Sequence, residues 1–260
     1  LGRSLSRWMF DRGARHFTFL GRSGCDKPAA RELVSNLEAS GAVVKVVRGD
    51  IVNASDADAA VAACIKPIGG VIQAAMGLSE ALFSTMTHKA WHTGIQPKWQ
   101  GTWNLHHALE AHGDSELDFF LLTSSVSGSV GTATESNYCS ANGFLDAFAR
   151  YRRSVGKPIV SIGLGMISEV GYLHENPEIE ALLLRKGIQP LNEAELIQVV
   201  DLALAHTSAD GPKSLAPGLE YDRLSASHIL TGLEPQAIRK LLDQGFDVSN
   251  GTMQDPRAVL

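Results

Sequence analysis

Hydrophobic and polar positions along the chain alternate between two spacings. Near the start, Leu5, Trp8 and Met9 recur at helical spacing, which predicts a helix over residues 2–11. The β-prone run at 16–20 ends at Gly21 and predicts a short strand. The alternation then continues, with helices predicted at 28–40, 53–64, 98–112, 137–153 and 193–206, and strands at 42–47, 69–75, 118–123, 158–164 and 214–219, the last weakened by Pro217.

Strands that alternate with helices imply a parallel sheet with helices on both faces. Such a sheet binds its ligand at the carboxyl ends of its strands. We therefore predict a doubly wound α/β domain over residues 1–221, followed by a C-terminal helix at 236–244 and a linker within 222–260.

Composition narrows the possible functions. The 260 residues carry a formal net charge of -5, which gives no basic face for nucleic acid or for an anionic membrane. No apolar run approaches the roughly 20 residues that a membrane-spanning helix needs. Three cysteines, an odd number without metal-like spacing, argue against a disulfide framework. We expect a soluble protein of the reducing cytoplasm.

Two segments place polar side chains where an α/β domain binds ligands. Ser125 closes the strand-like segment 121–125, so its hydroxyl is expected to point into the ligand cleft. Tyr138 and Asn142 lie four residues apart at the start of a predicted helix, so they project from the same face. Each residue alone also fits a structural role, such as a side-chain pair at a helix interface.

These two segments, FLLTSSVSG at 120–128 and NYCSANGFLD at 137–146, resemble the active-site stretch of polyketide synthase ketoreductase domains. Residues 97–106 resemble the lysine helix of the same family, and residues 165–167 resemble the entrance to its lid. Both segments are particularly similar to the sequences found in fungal highly reducing synthases. The likeness extends from residue 2 to about residue 232. It implies a Rossmann-like fold of the short-chain dehydrogenase type.

The resemblance also implies catalytic roles. Tyr138 is the expected proton donor to a ketone oxygen, and Ser125 is expected to hold that oxygen by a second hydrogen bond. The Lys98 ammonium is expected to lower the pKa of the Tyr138 phenol from its ordinary value of about 10. Asn142 is expected to position Lys98 or a relay water. The lysine and asparagine stand in the exchanged positions that distinguish this family from ordinary short-chain dehydrogenases. Taken alone, Lys98 would also fit a solvent-exposed surface lysine.

A cofactor, NADPH, follows from the same resemblance. Gly2 would be the final glycine of the phosphate-binding turn, and the first strand with the earlier glycines is missing, so we expect an N-terminally truncated sheet. Arg22, at the end of the strand predicted at 16–20, favours a 2'-phosphate, whereas its alternative is a solvated turn residue. Asp50 would accept a hydrogen bond from the adenine amine or act as an N-terminal helix carboxylate. The remaining expected cofactor contacts are Ser23, Ile51, Gln73, Ala74, Ala75 and Met166.

The function implied is reduction of a β-keto thioester, carried on an acyl carrier domain, to the β-hydroxy thioester, with other synthase domains in cis as partners. The linker within 222–260 would lead to that carrier. Two alternatives are a non-catalytic structural module of a synthase and a free-standing reductase of small ketones. Loss of a central strand would expose two strand edges, so the 260 residues alone are expected to fold poorly and bind NADPH weakly. No metal site is expected, because His106 and His107 are adjacent on a helix and point apart.

Overall fold

The computed structural model describes residues 1–112, 117–169, 190–205, 207, 222, 224–232, 243 and 245. Its strands are β1 (His16–Gly21), β2 (Val43–Arg48), β3 (Gly70–Gln73), β4 (Phe119–Ser125), β5 (Val160–Leu164) and β6 (His228–Leu230). Its helices are α1 (Gly2–Asp11), α2 (Pro28–Ala39), α3 (Ala54–Ala62), α4 (His88–His112), α5 (Ser127–Val130), α6 (Ser136–Ser154) and α7 (Glu193–Ala205), with 3₁₀ helices at Phe83–Thr85 and Ser225–Ser227.

All the strand pairs are parallel, as the alternating pattern predicts. β1 pairs with β2, and β3, β4, β5 and β6 follow one another in a second ladder in that order. No ladder joins the two groups within the described residues, so β1 and β3 each have an edge without a partner strand there. These are the two exposed edges expected for a sheet that lacks its central strand.

The central strands of the second ladder, β4 and β5, are buried on both faces, which explains their near-continuous apolar sequence. Phe120 and Leu122 of β4 pack toward α3, α4 and α6 in one cluster. Leu121, which points to the opposite face, packs toward α1 and α7 in another cluster. Helices therefore cover both faces of the sheet, as a doubly wound fold requires. Among the described residues, no helix combines the length and the apolar character needed to cross a membrane.

Two elements differ from the sequence prediction. α4 begins at His88 and continues through Pro97. The sequence prediction instead starts this helix at residue 98, since proline usually ends a helix. β6 lies within the segment 222–260, where a helix and linker are predicted, yet it pairs with β5 and extends the sheet to Leu230. Its three residues, His228–Leu230, are too few to show a period. The strand predicted at 214–219 lies outside the described residues, as does all of 236–244 except residue 243.

Candidate active site

The carboxyl ends of the strands carry most of the residues singled out by the sequence. Arg22 follows β1, Asp50 lies two residues after β2, and Ala74 follows β3. Ser125 is the last residue of β4, and Met166 lies two residues after β5. Because parallel strands end at the same side of a sheet, these residues share the side on which a doubly wound domain binds its ligand.

Ser125 and Tyr138 meet where β4 approaches the first turn of α6. The short helix α5, which follows β4, packs closely against α6, because a Cβ on Gly128 would lie only 2.8 Å from the backbone nitrogen of Gly143. Ser125 is buried, its Oγ accepts a hydrogen bond from the Ser127 amide at 3.2 Å, and its side chain is near enough to Tyr138 to lower the pKa of that phenol. Two hydroxyl groups, one from β4 and one from α6, therefore lie close together.

The Tyr138 phenol has a perturbed pKa. Burial raises the pKa of this phenol, while the neighbouring Ser125 and Asn142 side chains act in the opposite direction. The direction differs from the sequence expectation, in which the Lys98 ammonium lowers the pKa of the phenol. The physical reason is that desolvation of a half-buried phenol outweighs the effect of these polar neighbours. Tyr138 is consequently protonated at neutral pH, which is the state that a proton donor needs.

Lys98 lies on α4 and is buried, with 3% of the residue exposed. Its Nζ donates a hydrogen bond of 2.6 Å to the carbonyl oxygen of Thr123 in β4 and lies 6.0 Å from the centre of the Tyr138 ring. Burial lowers the pKa of Lys98 from 10.5 to about 8, and the Asp146 carboxylate opposes that shift. Lys98 is thus part of the same interior site as Tyr138, and the alternative of a surface lysine is wrong.

Asn142 is fully buried one helical turn after Tyr138. Its Nδ2 donates to the Tyr138 carbonyl oxygen at 2.8 Å, while its Oδ1 has no hydrogen-bond partner among the described residues. A buried acceptor without a donor is costly, so this oxygen is suited to receive a hydrogen bond from a bound molecule. The structure therefore places Lys98, Asn142 and Ser125 around Tyr138, while the catalytic roles of the four residues stay predictions.

The residues expected to bind phosphate groups lie on or near the protein surface. Gly2 is the first residue of α1 and is exposed, whereas Ser4 and Leu5 in the same turn are buried. Arg22 is exposed, and its guanidinium has no hydrogen bond or ion pair among the described residues. Ser23 lies in the turn that Gly24 closes by donating from its amide to the Gly21 carbonyl oxygen at 3.1 Å.

Arg48 belongs to the same region and was missed from the sequence. It pairs in register with Gly21, and its Nε donates to the Arg22 carbonyl oxygen at 3.2 Å. Its guanidinium also forms an ion pair with Asp26. The sequence could have indicated Arg48, because it ends the second strand just as Arg22 follows the first, so both arginines lie at the carboxyl ends of strands. Since Arg48 is paired, Arg22 is the freer cation of the two.

Asp50 and Ile51 form a turn between β2 and α3. Asp50 Oδ1 accepts from the Val52 amide at 3.1 Å, and the Asp50 amide donates to Asp56 Oδ2 at 2.8 Å. The carbonyl oxygen of Ile51 accepts from Asn104 Nδ2 at 2.8 Å, which ties the turn to α4. Asp50 thus has the local role of a carboxylate near a helix start, while its adenine contact stays a prediction.

Among the other expected cofactor contacts, Ala74 is exposed, Ala75 is partly buried and Met166 is buried. The Gln73 side chain points into the interior, toward α4, and leaves only its backbone near the edge of the sheet.

His106, His107 and Glu110 form a group of possible metal ligands whose atoms lie within 4.8 Å of one another, so the two histidines do not diverge as expected.

Comparison with known proteins identifies the family. A family model described as the KR domain matches residues 1–169. The highly reducing polyketide synthase virA of Hypocrea virens is 69% identical over 262 residues, and fogA of Aspergillus ruber is 67% identical over 264 residues. Each alignment includes 100% of this chain, which spans only 11% and 10% of those two relatives.

A solved structure described as A-type ketoreductases from a modular polyketide synthase shares the fold, with a TM-score of 0.73 and 28% identity over 78% of this chain and 42% of that one. The family match, these relatives and the parallel sheet agree with each other. The chain therefore belongs to the KR domain family, the ketoreductases of polyketide synthases, and has their Rossmann-like fold of the short-chain dehydrogenase type.

Proposed function

We propose that this domain uses NADPH to reduce a β-keto thioester, carried on an acyl carrier domain, to the β-hydroxy thioester. The observation that carries the proposal is that Ser125, Asn142 and the buried Lys98 surround Tyr138, with Lys98 Nζ 6.0 Å from the centre of the Tyr138 ring. Other synthase domains in cis would supply the carrier and its acyl group. The names of the relatives, which are highly reducing polyketide synthases, support this context.

The chemistry assigns one role to each side chain. Reduction turns the C=O group into CH–OH, so the carbonyl carbon must gain a hydride and its oxygen must gain a proton. The Tyr138 hydroxyl, kept protonated by burial, gives that proton, and the Ser125 hydroxyl donates a second hydrogen bond as negative charge develops on the oxygen. The Lys98 ammonium faces the phenol and stabilises the phenolate that remains after proton transfer.

NADPH, when bound, would supply the hydride. The residues present fit this cofactor, because Arg22 is an exposed cation without a partner among the described residues, on the side of the sheet where ligands bind. Guanidinium groups bind phosphates through paired N–H groups, so Arg22 would hold the 2'-phosphate. The first turn of α1 at Gly2 would face the pyrophosphate. The remainder of the cofactor would be lined by the turn at Ser23, the turn at Asp50 and Ile51, the backbone of residues 73–75, and Met166.

The test uses the protein expressed within its full reading frame, supplied with a β-keto thioester of pantetheine. We expect NADPH-dependent formation of the β-hydroxy thioester, seen by mass spectrometry, with NADH much less effective. Binding of NADPH without turnover would favour a non-catalytic module. Equal activity on small ketones that lack the pantetheine arm would favour a free-standing reductase, and either result would reject the proposal.

A further inference from the structure

Gln73, one of the expected cofactor contacts, has a side chain that is enclosed by other parts of the chain. It ends β3 and is 3% exposed. Its Nε2 donates to the Pro97 carbonyl oxygen at 2.9 Å and lies 3.5 Å from Thr102 Oγ1, while its Oε1 accepts from the Ala75 amide at 3.0 Å. The buried amide is therefore fully used in holding neighbouring elements.

A closed set of hydrogen bonds connects Gln73 to Lys98. The carbonyl that receives the Gln73 amide belongs to Pro97, the residue before Lys98. Lys98 Nζ donates to the Thr123 carbonyl oxygen at 2.6 Å, and Thr123 Oγ1 donates back to the Gln73 carbonyl oxygen at 3.1 Å. We name these four residues, Gln73, Pro97, Lys98 and Thr123, the Gln73 frame. The frame binds β3, α4 and β4 to one another.

The frame lies at a weak point of α4. Pro97 has no N–H group, so the carbonyl of Thr93 lacks its usual helical partner. The loop after β3 packs at the same point, because a Cβ on Gly77 would lie 1.9 Å from that Thr93 oxygen. Gly101 leaves room for the Gln73 amide, since a Cβ there would lie 3.1 Å from its Nε2. The path of α4 at Lys98 therefore depends on contacts with β3 as well as on the helix itself.

We propose that Gln73 is a positioning residue for Lys98: its amide fixes α4 at Pro97 so that the lysine ammonium meets Thr123 and faces Tyr138. This inference rests on the proposed reductase function. Without the amide, α4 would shift at a point where a helical hydrogen bond is already missing. Displacement of a catalytic group by about 1 Å can lower a rate by about 100-fold.

The test compares Gln73→Leu with Gln100→Leu in the full-length protein. Gln100 also lies on α4, two residues after Lys98, but its amide donates to Asn104 at 3.0 Å and is not part of the frame. We expect Gln73→Leu to lower kcat by at least about tenfold while KM for NADPH stays within about twofold. Gln100→Leu should behave as the parent does. Gln73→His, whose ring offers one donor and one acceptor, should recover most of the rate.

A second readout needs neither cofactor nor turnover. The rate at which an amine-selective reagent labels Lys98, followed by mass spectrometry across pH, reports the protonation of its ammonium. Tyr138 and Asp146, both on α6, are the titratable groups that the structure places toward Lys98. Gln73→Leu should move the labelling midpoint to higher pH, because the released ammonium gains water. If Gln73→Leu does not fold, Gln73→Asn, whose amide is too short to reach Pro97, replaces it and should show the same changes.

The outcomes separate this inference from the function on which it rests. A parent protein that reduces no thioester would overturn the proposed function, while the labelling would still test the frame. An active parent with an unchanged kcat and labelling midpoint in the Gln73 variant would overturn the inference alone. A rise in KM for NADPH without a fall in kcat would also overturn it, because Gln73 would then act as a cofactor contact.

Discussion

Replacement of Lys98 by methionine should make the fold more stable while abolishing its proposed activity. Burial lowers the pKa of Lys98 from 10.5 to about 8, so at pH 7 the folded protein holds an ammonium in surroundings that disfavour it. This shift corresponds to about 3 kcal/mol of lost stability at pH 7. Methionine removes that cost but leaves the Thr123 carbonyl without its donor, which costs about 2 kcal/mol. The net expectation at pH 7 is a gain of about 1 kcal/mol.

The pH dependence gives the sharper result. Between pH 8 and pH 10.5 the unfolded chain holds the Lys98 proton and the folded chain has lost it, so the stability of the parent rises with pH in that range. Relative to Lys98→Met, the parent should gain about 1.4 kcal/mol for each pH unit, or about 3 kcal/mol in total. Methionine has no proton to lose, so the difference isolates one group.

Pulse proteolysis across a urea series, repeated from pH 7 to pH 10, measures the stability of this domain within a larger protein. Lys89→Met is a matched control, because Lys89 is an exposed lysine on the same helix. The reasoning would be refuted if Lys98→Met and Lys89→Met showed the same stability difference from the parent at every pH. It would equally fail if Lys98→Met lost stability relative to the parent as the pH fell from 10 to 7.

Three further substitutions follow from the site and its packing. Ser125→Ala should lower kcat by about 100-fold with little change in substrate KM, because one donor to the developing oxyanion is lost. Steady-state rates check this, with Ser140→Ala as the control because Ser140 is exposed. Arg22→Ala should raise KM for NADPH by at least about tenfold and leave KM for NADH nearly unchanged, as cofactor titrations will test. Gly94→Ala should destabilise the domain by about 2 kcal/mol in urea unfolding, because its Cβ would lie 2.5 Å from the Asn137 amide nitrogen, which is bonded to Ser79 and Ala90.

The sequence predicts most of the fold because its apolar segments are local and clear. β4 is recognisable from the buried run around Leu121, and α6 from its period. The start of α4 could not be predicted, because Pro97 lies inside the helix, where proline removes a backbone donor and is rare. β6 could not be predicted either, because its three residues form a strand only by pairing with β5.

The candidate site also combines features that the sequence predicts with features that depend on tertiary contacts. The spacing of Tyr138 and Asn142 predicts that they share one face of a helix, while the expectation that Ser125 joins them comes from the family resemblance of the two segments. The direction of the Tyr138 pKa shift is not contained in that spacing, since it depends on how much water reaches the phenol. The orientation of Gln73 is likewise a tertiary property, because its amide finds its partners on α4 only after β3 and α4 have packed.

The most direct test of the account is a single-turnover measurement of thioester reduction by Tyr138→Phe in the full-length protein preloaded with NADPH. Tyr151→Phe serves as the control, since Tyr151 is a 45% exposed tyrosine on the same helix. We predict that Tyr138→Phe slows reduction by at least about 100-fold while its affinity for NADPH is unchanged, because only the proton donor is removed. A Tyr138→Phe variant that reduces the thioester as fast as the parent would contradict the account.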